Sequence, residues 1–97
     1  MRIKIKDIPL GDPPEWVRQA WLGIELESIG RNDLNDLSTL IGRQGYQNLG
    51  GYMVFGEVAF QALQLHNKDA YIWWMINSPQ TARKTLVFSA RVCEVLP

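Results

Sequence analysis

The N-terminal residues RIKIKDI, 2–8, alternate charged and apolar positions. A period of two belongs to a strand with one wet face. Arg2, Lys4 and Lys6 are therefore expected on one side, with Ile3 and Ile5 on the other. A row of cations also keeps a sheet edge from pairing with neighbours, so the segment reads as a solvated edge strand. Pro9 ends it. In GDPPEW, the order Asp12, Pro13, Pro14, Glu15 has the form of a helix entry: a cap, a proline in the first turn, and an acid near the positive end. One or two helical turns are predicted, through Trp16 to Gln19. The next segment, AWLGIELES, alternates again, with Trp21, Gly23, Glu25 and Glu27 opposite Leu22, Ile24 and Leu26. It reads as a second half-buried strand.

The pattern changes across residues 29–51, which hold five of the eight glycines. Leu34, Leu37 and Ile41 share a helical spacing that Asn32 or Asp33 could cap, but Gly42, Gly45, Gly50 and Gly51 stop it from extending. Residues 30–50 are expected to form a long loop with one weak helical turn. YMVF, 52–55, reads as a short buried strand. From Glu57 the period becomes helical, with Val58, Ala62 and Leu65 in one row, Ala59 and Leu63 in the next, and Phe60 off the stripe. His66 to Asp69 interrupt that period, and Asn67 is placed to cap a second helix. TLVFSARVCEV, 85–95, reads as the last strand, with Leu86, Phe88, Ala90 and Val92 on one face.

These elements predict a single α+β domain over residues 1–97. Its sheet is small, curved and mostly antiparallel, or a partial barrel, of about four strands. A helical pair, 57–66 and 68–77, is inserted before the last strand.

AYIWWMI, 70–76, is the segment that bears on function. As a helix, its seven apolar side chains point nearly all the way round the cylinder. As a strand, both faces are apolar. Asn67 with Asp69 supplies a helix start and Asn77-Ser78-Pro79 a stop, while the β-propensity of Tyr, Ile and Trp favours a strand; the helix is the reading adopted. Burying one tryptophan contributes on the order of 4–6 kcal/mol as an upper bound, comparable with a domain's net stability of about 5–15 kcal/mol. Two packed layers cover one side of each element. The opposite side is then covered by the glycine-rich 30–50 segment or by another molecule. Tyr71, Trp73, Trp74 and Met75 are the candidate partner-binding residues, with Trp16, beside two prolines, as a further contact.

Composition narrows the alternatives. The chain is 46% hydrophobic and 21% charged, in the globular range. Ten Lys+Arg balance ten Asp+Glu. A formal charge of zero removes the long-range attraction a nucleic-acid binder uses and lowers the barrier to self-association. Arg83, Lys84 and Arg91 could join Arg2, Lys4 and Lys6 in a basic patch, but the neutral balance weighs against a nucleic-acid partner. One cysteine, Cys93, allows no intrachain disulfide and points to a reducing compartment. Lysines interrupt the N-terminal isoleucines where a signal peptide needs an apolar run, and seven apolar residues fall short of the roughly 20 that span a bilayer. A cytoplasmic protein without a membrane partner is expected.

Chemistry-bearing residues are few. His66 and Cys93 are single and 27 positions apart, which makes a zinc site improbable. Cys93 among valines reads as a small core residue. Glu25 and Glu27 share a strand face, where a solvated row accounts for them. Phosphate-loop, dinucleotide and nucleophile-elbow motifs do not occur. No catalytic residue, metal or cofactor is expected. The sequence therefore points to a non-catalytic interaction domain that binds a protein partner or a second copy through its aromatic surface. The alternative is a small-ligand domain with a tryptophan-lined apolar pocket and Arg91 or Gln80 as polar anchor.

Overall fold

A computed structural model of the chain describes residues 1–9, 11–32, 39–41 and 50–97. The N-terminal alternation folds as β1 (Arg2–Ile5), with Ile3 and Ile5 fully buried and the cations facing outward. β1 is not an edge. It lies between β2 (Glu25–Glu27) and β7 (Cys93–Val95), antiparallel to both. The charges across the ladder are complementary: Arg2 stands opposite Glu27, and Lys4 opposite Glu25 on one side and Glu94 on the other. Opposite charges across a ladder stabilise that register. Arg2 also reaches diagonally to Glu25, Nε to Oε1 at 3.5 Å.

After β1 the chain turns into α1 (Glu15–Gln19). Pro14 is its cap, and Asp12 is not; the Pro14 carbonyl accepts from the amides of Val17 and Arg18. Arg18 holds the incoming loop, its guanidinium donating to the Pro13 carbonyl at 2.8 Å and the Pro9 carbonyl at 3.3 Å. The strand expected over AWLGIELES is confined to its last residues. Residues 20–23 form a turn that Gly23, at φ 82°, completes in the left-handed region open to glycine. That turn rotates Trp21 away from the wet face predicted for it and buries it completely.

The second sheet joins β3 (Gly30–Asn32), β5 (Gly51–Phe55) and β6 (Thr85–Ser89) antiparallel, with β4 (Thr39–Ile41) alongside β6 and parallel to it. Residues 30–32 and 39–41, expected within a loop, are therefore strands. The rest of that expectation, with Leu34 and Leu37, lies outside the described residues. Ser28 ties the sheets together: its buried hydroxyl accepts from the Gly30 amide at 3.1 Å and lies 2.9 Å from the Met53 carbonyl. The segment predicted as one last strand is divided. A 3-10 turn at Ala90–Val92, where the Ser89 hydroxyl accepts from the Arg91 amide, ends β6 in one sheet and starts β7 in the other.

The architecture is thus α+β, with two small sheets and no closed barrel among the described residues. The helical pair, α2 (Gly56–His66) and α3 (Lys68–Asn77), precedes β6 as expected. α2 packs on both β2 and β5, so a single helix bridges the two sheets. Its buried row is Gly56, Ala59, Phe60 and Leu63, the spacing of one helical face. Of the two predicted rows, Ala59 and Leu63 are buried as expected; in the other, Ala62 is half-buried against the core while Val58 and Leu65 face solvent, Leu65 at 91% exposure. Gly56 explains the choice. Its amide donates to the Lys84 carbonyl at 2.7 Å, and a Cβ there would lie closer than 3.0 Å to the carbonyl oxygens of Thr81, Ala82 and Lys84. That contact sets the rotation of the helix about its axis.

Candidate interaction surface

α3 begins where α2 ends, with one extended residue, Asn67, between them. The Asn67 amide donates to the Leu63 carbonyl at 2.7 Å, closing α2. Its side-chain Oδ1 accepts from the Ala70 amide at 3.1 Å, the capping role expected of it. At the other end the Ser78 amide donates to the Trp74 carbonyl at 2.7 Å, the Asn77 side chain donates to the Trp73 carbonyl at 2.9 Å, and Pro79 opens a 3-10 turn. AYIWWMI is therefore helical.

Its side chains divide into three groups. Ala70 and Trp74, four apart, face inward; Trp74 is 8% exposed. Trp74 meets three rings edge-on, with centroids at 5.4 Å to Phe60, 5.5 Å to Trp73 and 6.4 Å to Trp21. Trp21 in turn meets Phe60 at 5.5 Å and Phe88 at 5.2 Å. This aromatic cluster is the centre of the core, and the indole Nε1 atoms of Trp21 and Trp74 are buried in it without a hydrogen-bond partner among the described residues. Tyr71, Trp73 and Met75 form the second group, half-buried and packed against the core. Ile72 and Ile76 form the third. They lie two positions beyond Ala70 and Trp74, close to the opposite side of a 3.6-residue helix, and Ile76 is 75% exposed.

The five residues singled out in the sequence are thus not one surface. Trp74 belongs to the core; Tyr71, Trp73 and Met75 form its shoulder. Trp16 is 49% exposed on α1, which buries Val17 and lies against α3. Ile72, Ile76 and Leu65 are exposed residues that a search for aromatic side chains passes over. A signal for the first two was present: they are the pair spaced i, i+4 that falls opposite the larger Trp74.

The chemistry-bearing side chains lie elsewhere. Cys93 in β7 is buried opposite Ile5. Burial pushes its thiol from 9.0 up to about 12, with nearby Lys6 opposing the shift. It stays protonated at neutral pH and is a poor nucleophile. His66 is exposed at the C-terminal end of α2. Glu25 and Glu27 are exposed, Glu25 against Arg2 and Glu27 3.0 Å from the Met1 ammonium. Gln80 and Arg91 are exposed in the 3-10 turns before and after β6. Among the described residues no group of three His, Cys, Asp or Glu side chains could hold a metal ion, and no helix is long and apolar enough to cross a membrane.

Fold and surface together define a small two-sheet α+β domain with an apolar helix exposed along one side. Neither a family model, nor a curated protein, nor a solved structure matches this chain.

Proposed function

We propose that this chain is a non-catalytic interaction domain of the reducing cytoplasm that binds a protein, either a partner or a second copy, along the outward side of α3. The observation that carries this reading is the uninterrupted apolar character of residues 70–76 on a helix that buries Ala70 and Trp74, half-buries Tyr71, Trp73 and Met75 against the core, and leaves Ile72 and Ile76 exposed. Ile72 and Ile76 are the central contacts, Tyr71, Trp73 and Met75 the margin, and Trp16 on neighbouring α1 a further anchor. Aromatic side chains held rigid at the edge of an apolar row suit a contact surface, because ordering them costs little conformational entropy. The pocket alternative has less support, since three of the domain's own rings surround Trp74 at packing distance.

The test places a photo-crosslinking residue at position 76 and, as a control, at position 4 on the outer face of β1, in cells of the native source. The expected result is a discrete adduct from position 76 that is absent from position 4 and lost in the Ile72→Ser background. Sedimentation velocity of the purified chain separates the two partners, a second copy giving a concentration-dependent mass. Equal labelling from both positions with a monomeric mass at all concentrations overturns the proposal.

A further inference from the structure

We draw no further inference here: the strongest candidate, the outward row of Ile72 and Ile76 on α3 with Leu65 on α2, belongs to the surface already described, and nothing in the structure shows which molecule covers it.

Discussion

Replacing Trp74 with alanine is expected to cost the fold about 3–4 kcal/mol. Tryptophan or phenylalanine to alanine changes in cores cost about 3–5 kcal/mol, transfer and cavity together. Trp74 stands at the upper part of that range by packing, because Phe60, Trp21 and Trp73 each meet its ring edge-on. Such ring pairs contribute about 0.5–1.5 kcal/mol beyond the area they bury. One effect acts the other way. The Trp74 Nε1 is buried without a partner among the described residues, and removing such a group relieves a desolvation penalty of about 1–3 kcal/mol. The expected cost therefore sits in the lower half of the range, and Trp74→Phe, which keeps a ring and drops the N–H, should cost about 1 kcal/mol or less.

Urea unfolding followed by far-UV circular dichroism, at low micromolar protein so that association does not contribute, measures these differences. In a domain of this size Trp74→Ala should lower Tm by roughly 12–30 °C, at about 4–8 °C per kcal/mol. Ile76→Ser, at a position facing solvent, should change stability by less than about 0.5 kcal/mol. Equal losses from Trp74→Ala and Ile76→Ser, or a Trp74→Ala loss below about 1 kcal/mol, would refute the division of α3 into a core side and a solvent side.

The packing makes three further outcomes testable. Gly56→Ala, ordinarily favourable in a helix by about 0.5–1 kcal/mol, should destabilise by about 1–3 kcal/mol because the new Cβ meets three carbonyl oxygens; a gain in urea midpoint would contradict that approach. For Cys93, the folded thiol keeps its proton up to about 12 while the unfolded one loses it above 9.0. Folding is undisturbed by this group below pH 9.0 and should lose about 1.4 kcal/mol per pH unit above it. The difference between wild type and Cys93→Ala across that window isolates the effect, and parallel pH profiles would refute it. Lys4→Glu sets like charges opposite Glu25 and Glu94 and should cost about 1 kcal/mol at low salt, shrinking as salt is added; a loss indifferent to salt would point to another cause.

Much of the fold can be read from local pattern. The bounds of α3 agree because Asn67 and the Ser78-Pro79 stop are chemical signals, and the period of two at Ile3 and Ile5 names the buried face of β1. The features that escape the pattern depend on partners far along the chain. β1 reads as an edge because the acids that flank it, at 25, 27 and 94, come from two distant segments. Two rows on α2 have helical spacing, and the row containing Gly56 wins through a contact with residues 81–84. Trp21 shares a convincing alternation with Glu25 and Glu27 until Gly23 turns the chain. The break after Ser89 carries neither glycine nor proline; a hydroxyl capping a 3-10 turn makes it.

The surface is legible only as a question, because a helix apolar in every direction has no moment to say which side is wet. Energetics answers part of it. A two-layer domain can cover one side of α3, and covering Trp74 removes more apolar area from water than covering Ile72 or Ile76. The ring therefore goes inside and the two isoleucines are left out. Lone exposed apolar residues are ordinary; a contiguous i, i+4 pair with no charge between residues 70 and 76 is a better foundation for a contact. It is still small. A stable complex covers about 800 Å² on each partner, several times what two isoleucines present. On the proposed reading, then, α3 supplies the centre of an interface whose remainder comes from Trp16 and the half-buried shoulder, or else the association is weak and readily reversed. Combining Trp16→Ala with Ile76→Ser separates these cases. Loss of affinity well beyond that of Ile76→Ser alone supports the extended interface, and no added loss confines the contact to α3.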